Sequence, residues 1–318
     1  MFEISRRDMI LGAAGAGLFL GLDKPVAFIG AAQAQRAADS FKYKVGDIEA
    51  FSLNEGSVPR TVDASFVKNA SIDDVKAALS KGGLGETFQN PFTVTALRTG
   101  GKTVLIDSGF GGNGAPSVGK MADNMKAAGL DPAKVDVVLI SHFHGDHISG
   151  LWMKETNEPV FPNAEIMMPE TEYKFFTDAS VIEKLPEGVR NHVRRIQSTF
   201  PGWKNIKQFA DGAEVAPGVR ALATPGHTVG HTSFVIASGG QQLIVVGDAV
   251  TIPALFAANP GWHVMFDANG AQAEETRRKL MDRVVADKAM VAGYHFGFPN
   301  VGTLAKDGNG YAFTAVKA

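Results

Sequence analysis

Four apolar runs in this chain each lead into a histidine or an aspartate, and the first of them ends in an unusual cluster. His142-Phe143-His144-Gly145-Asp146-His147 follows the run Val135–Ile140 directly. His227 follows Val219–Ala223, Asp248 closes Leu243-Ile244-Val245-Val246-Gly247-Asp248, and His295 comes just after Ala289–Ala292. A short apolar run bounded by turn residues reads as a buried strand, and the loop leaving a buried strand is where a rigid scaffold delivers functional side chains. The chain must therefore fold so that several strand ends meet.

The remaining pattern says how. Strands are expected at Val45–Leu53, Phe92–Arg98, Thr103–Asp107 and Val135–Ile140, then at Glu165–Met168, Val219–Ala223, Thr232–Ala237, Gln242–Gly247 and Ala289–Ala292. Helical periodicity falls at Ile72–Leu79, Pro116–Ala128, Glu170–Asp178, Gly188–Thr199 and Gln272–Val285. Two similar halves of this kind favour an α/β fold, two sheets face to face with helices outside them, a four-layer αββα sandwich. The proline-rich segment Glu155–Trp203 reads equally as a lid or as a surface helical hairpin.

Cysteine is absent from the 318 residues, which removes disulfides, thiolate nucleophiles and thiolate ligands together. Any metal must be held by histidine and carboxylate, a donor set that suits zinc and also manganese, cobalt and iron. The net charge is −2 with both signs mixed along the chain, and no basic run tracks a phosphate backbone, so nucleic acid is not an expected partner. A small-molecule substrate is expected instead, and a homodimer is left open.

The N-terminus stands apart. Ser5-Arg6-Arg7 precedes a Gly/Ala-rich apolar stretch, Met9 to Leu22, and Ala32-Gln33-Ala34 supplies small residues at cleavage spacing. The stretch is short of the roughly 20 residues that span a bilayer. Residues 1–34 resemble a twin-arginine export signal, which implies a periplasmic or secreted protein without a stable membrane span after processing, and 43–318 form the working domain.

The ordered set H-x-H-x-D-H, Gly226-His227-Thr228, Gly247-Asp248 and a late His295 resembles the metallo-β-lactamase superfamily of hydrolases. That resemblance implies one divalent ion on His142, His144 and His227, a second on Asp146, His147 and His295, and Asp248 bridging both. It also implies hydrolysis of an ester, lactone or phosphotriester by a hydroxide held between two cations about 3.5–4 Å apart. Asp146 is expected to accept the proton of the attacking water. The absence of cysteine together with the presence of Asp248 argues against antibiotic hydrolysis. Likeness is greatest to methyl parathion hydrolase and lactonase relatives, although Thr251 stands where bacterial acyl-homoserine lactonases usually carry tyrosine. Phe176 best matches the aromatic wall of the former group, and Gly114 lies where an aromatic is expected. Asp107 resembles the aspartate that orients a ligand histidine, or else it caps a turn. His231 reads as packed beside the site, and His192 and His263 as surface or rim residues. Two rival readings are a mononuclear iron sulfur dioxygenase and a non-catalytic exported metal-binding protein.

Overall fold

Alternation along the central strands decides the architecture. A computed structural model describes residues 36–37 and 39–317, so the export segment lies outside the described residues. The first sheet runs in sequence order through β1 (Arg36–Ala37), β2 (Ser40–Val45), β3 (Ile48–Thr61), β4 (Thr87–Thr99), β5 (Lys102–Ile106), β6 (Val137–Leu139), β7 (Glu165–Pro169) and β8 (Ile206–Phe209). Its pairs are antiparallel as far as β5 and parallel from there to β8. The second sheet holds β9 (Glu214–Ala216), β10 (Val219–Ala223), β11 (Thr232–Ser238), β12 (Gln241–Val245), β13 (Met290–Ala292), β14 (Val301–Asp307) and β15 (Gly310–Ala315) in the order β15-β14-β13-β12-β11-β10-β9. Its β12–β13 pair is parallel.

Successive side chains on a strand point to opposite faces. Val104 and Ile106 of β5, Val137 and Leu139 of β6, Phe234 and Ile236 of β11, and Leu243 and Val245 of β12 share one core between the sheets. The intervening Leu105 and Val138 face outward under α2 (Met121–Ala127) and α5 (Glu187–Thr199). Val235 and Ile244 face outward under α6 (Gly270–Ala286). Each such side chain contributes roughly 1.5–3 kcal/mol on leaving water. The result is the expected αββα sandwich.

Three expectations need correction. The run Val45–Leu53 is two strands: Val45 ends β2, Gly46 turns with φ 56°, and β3 begins at Ile48. The helix expected at Pro116–Ala128 starts only at Met121, because the buried carboxylate of Glu55 takes the backbone N–H groups of Gly119 and Met121 and pins the chain before it. Strands β1, β8, β9, β14 and β15 are not among those expected; exposed residues fill the outer halves of β14 and β15, so no full alternation is visible there. The segment Glu155–Trp203 supplies β7, α4 (Glu170–Thr177) and α5. It buries Ile166, Met168, Val193 and Ile196, so it belongs to the body of the fold.

Candidate metal centre

All four ligand-bearing loops leave the C-terminal ends of strands. The histidine-rich loop follows β6 and includes α3 (Gly145–Ile148), His227 lies between β10 and β11, Asp248 follows β12, and His295 follows β13. Parallel pairing of β12 with β13 brings the last two loops out at the same edge.

The structure brings all seven expected residues together in two adjoining sets. Donor atoms of His142, His144, His227 and Asp248 lie within 4.8 Å of one another, as do those of Asp146, His147 and His295. His144 Nδ1 is 3.0 Å from both His142 Nε2 and His227 Nε2. Asp146 Oδ2 is 3.4 Å from both His147 Nε2 and His295 Nε2. Asp248 joins the sets: its Oδ2 is 3.3 Å from His227 Nε2 and 3.4 Å from His295 Nε2, and its Oδ1 is 3.4 Å from His147 Nε2.

These residues fit a pair of cations. A tetrahedral ion with bonds of about 2.0–2.2 Å separates neighbouring ligand atoms by about 3.3 Å, and ligand-atom pairs in the two sets stand 3.0–3.9 Å apart. His147 Nε2 and Asp248 Oδ1 are buried and have no hydrogen-bond partner among the described residues. Orphaned buried polar atoms are costly, and a bound cation would satisfy both.

Hydrogen bonds behind the rings fix which nitrogen faces the cluster. His147 Nδ1 donates to Asp107 Oδ2 at 2.8 Å, and His295 Nδ1 donates to the Pro91 carbonyl at 2.9 Å. His227 Nδ1 donates to Asp267 Oδ1 at 2.9 Å. Asp107 holds a left-handed backbone (φ 65°) and also accepts the N–H and O–H of Ser141, which fixes the strand end before the histidine cluster. Its role is orientation, not turn capping alone. Burial opposes charge on every group here. It depresses His142 and His144, the latter to about 3, with help from neighbouring histidines. In His227 and His295 it is outweighed by the facing aspartates, which push both up to about 9.

Residues 89–295 match the metallo-beta-lactamase superfamily. The chain belongs to that superfamily. Among its relatives, uncharacterized protein YobT of Bacillus subtilis (strain 168) is 29% identical over 160 residues, covering 48% of this chain and 62% of that protein. The N-acyl homoserine lactonase of Bacillus thuringiensis is 28% identical over 134 residues, covering 42% of this chain and 46% of that protein. The chain thus spans between about half and three fifths of the length of these curated relatives. Solved structures share the fold. The dizinc quorum-quenching lactonase AidC, in complex with a product, gives a TM-score of 0.81 at 23% identity over 87% of this chain and 97% of its own. The hydrolase AbOPH gives 0.81 at 24% identity over 89% and 99%.

Other superfamily expectations divide. His231 is packed beside the ligands, not among them: its Nε2 accepts the Asp248 N–H. His192, half-buried, meets the Phe143 carbonyl at 2.9 Å and backs the histidine-rich loop. His263 is half-buried and pairs with Glu274. Phe176 is buried against Phe143, their ring centroids 5.6 Å apart, so it serves the core. At Gly114 an added Cβ would meet Val118 at 2.4 Å and Phe110 at 2.8 Å, which leaves no room for an aromatic.

Sequence reasoning missed Glu172, Asp267 and Arg277. Glu172 is fully buried and accepts the N–H groups of Phe143 and Gly230, tying two ligand loops to α4. Arg277 lies on the buried stripe Ala273, Arg277, Leu280, Met281, Val284 of α6. A charged residue on an apolar stripe was the available signal.

Proposed function

We propose that this protein is a dinuclear metal-dependent hydrolase of lactones and esters. His142, His144 and His227 would hold one cation and Asp146, His147 and His295 the other, with Asp248 contacting both. The observation that carries the reading is the position of Asp248, whose two oxygens stand within 3.4 Å of His147, His227 and His295 at once. When bound, such cations supply an activated water near neutral pH and polarise the acyl oxygen. No protein nucleophile is then needed.

Asp146 has the residual task. Its side chain keeps 20% exposure where His147 keeps 0% and Asp248 7%, so it is the acidic member of the set that faces solvent. Placed there, it takes a proton from the attacking water and returns it to the leaving oxygen. Aspartates 107 and 267 keep two histidines in the tautomer that presents Nε2. The lactonases among the relatives favour a lactone, and the lack of an aromatic wall at Phe176 and Gly114 argues against bulky aryl phosphotriesters. Arg6 and Arg7 support an exported protein, which N-terminal sequencing of the protein recovered outside the cytoplasm would check.

The test is to strip the protein with a chelator, reload it with zinc, manganese, cobalt or iron, and assay N-acyl homoserine lactones, aryl esters and phosphotriesters. Lactone or ester turnover that is lost on stripping and restored by reloading is expected. A dead panel, or one iron per chain with oxygen consumed on a persulfide, would overturn the proposal.

A further inference from the structure

Behind His227 the structure holds a buried charge that the proposed chemistry does not use. The guanidinium of Arg277 is 1% exposed, lies over the Phe256 ring at 5.4 Å, and among the described residues donates only to acceptors between Ala249 and Asp267, the segment that runs from Asp248 to α6. Nε donates to the Ala249 carbonyl at 2.8 Å, immediately after Asp248. Nη1 donates to the carbonyls of Pro260 at 3.0 Å and Trp262 at 2.7 Å. Nη2 donates to Asp267 Oδ2 at 3.3 Å, and the other oxygen of Asp267 accepts from His227 Nδ1. One rigid fork therefore touches both the carboxylate that orients His227 and the backbone beside Asp248.

The loop of His227 rests on the same helix. The N–H groups of Ala268 and Asn269 donate to the carbonyls of His227 and Gly226, and Thr276 Oγ1 donates to the Pro225 carbonyl at 2.6 Å. At Gly226, with φ 130°, an added Cβ would fall 2.3 Å from the backbone nitrogen of Ala273, so the loop lies directly against the start of α6. In the other set, His147 and His295 lean on Asp107 and the Pro91 carbonyl, far along the chain from α6.

We propose that Arg277 is a positioning residue chiefly for one cation: through Asp267 it fixes His227, which serves the His142/His144/His227 set alone, so it sets the affinity of that set and moves the Asp146/His147/His295 set far less. A planar five-donor guanidinium is suited to this and an ammonium is not, since a lysine cannot serve acceptors in four directions. The inference rests on the dinuclear reading, but concerns binding and not turnover.

The test is zinc release from purified full-length protein against a graded chelator, for wild type, Arg277→Lys, Asp267→Asn, the double variant and His295→Ala. Wild type should lose zinc in two steps. In Arg277→Lys and in the nearly isosteric Asp267→Asn, one step should move by 10–100-fold, the usual cost of losing an outer partner of a ligand histidine. The step that moves should be the one that His295→Ala leaves in place. The double variant should be little worse than Asp267→Asn, because Arg277 acts largely through Asp267. Thermal melts of the zinc-free proteins separate a folding defect from this effect. Equal movement of both steps, no movement in Asp267→Asn, or fully additive losses would overturn the inference. Two zinc ions bound by a wild type without hydrolase activity would sink the lactonase reading and leave this one standing. A wild type that binds no zinc would sink both.

Discussion

The backbone N–H of Asp248 donates to Nε2 of His231 at 3.0 Å, and His231 Nδ1 faces Thr224 Oγ1 at 2.9 Å. Burial, with the neighbouring charge of His227, holds His231 down at about 3, so it is neutral at any physiological pH and free to accept. Gly247, with φ 53°, makes this approach fit, because an added Cβ there would lie 2.8 Å from His231 Nε2. A histidine that is no ligand thus sets the direction of the carboxylate shared by both sets.

Replacing His231 by alanine leaves the buried Asp248 N–H without a partner. The expected cost is about 1–3 kcal/mol of stability, together with weaker metal retention. Urea unfolding and metal analysis of the dialysed variant would check both. An unchanged midpoint and unchanged metal content would show that the contact does not matter.

Asp146 has two tasks in this account, and Asp146→Asn separates them. The amide can still offer an oxygen to a cation, but it cannot accept a proton. With metal restored to wild-type occupancy, kcat on a lactone should fall by roughly 10²–10⁴-fold. A variant that regains full rate on reloading would assign Asp146 to metal binding alone.

Metal uptake should release protons. Without cations, His227 and His295 titrate at about 9, and His147 is held well above its ordinary range. In all three, burial works against the charge and the aspartates outweigh it. At pH 7 these rings are protonated, whereas His142 and His144, pushed below their ordinary value, are not. Cations require the unprotonated rings, so about three protons should leave on loading. Affinity should therefore strengthen as pH rises toward 9 and weaken in acid. Calorimetric titration in buffers of different ionisation enthalpy reads the number directly; no buffer dependence would contradict the assignment.

What the sequence revealed follows from how local each signal is. The window His142 to His147 is contiguous and needs no fold to be recognised, and His227, Asp248 and His295 each follow a short apolar run that forms a strand. Asp267, Arg277 and Glu172 have no such frame. Asp267 meets a ring 40 positions earlier and Glu172 joins amides 29 and 58 positions away, pairings that only the packed helices create. The same holds for α2, whose start is set by Glu55, 66 positions before Met121. Asp107 was ambiguous for a related reason: its left-handed backbone ends a strand, as a turn residue would, while its carboxylate reaches His147.

The most direct test of the account is elemental analysis of exhaustively buffer-exchanged protein, wild type beside Asp248→Ala. If one carboxylate serves two cations, the wild type should carry close to two divalent ions per chain and Asp248→Ala fewer than one. A single ion per chain in both proteins would contradict it.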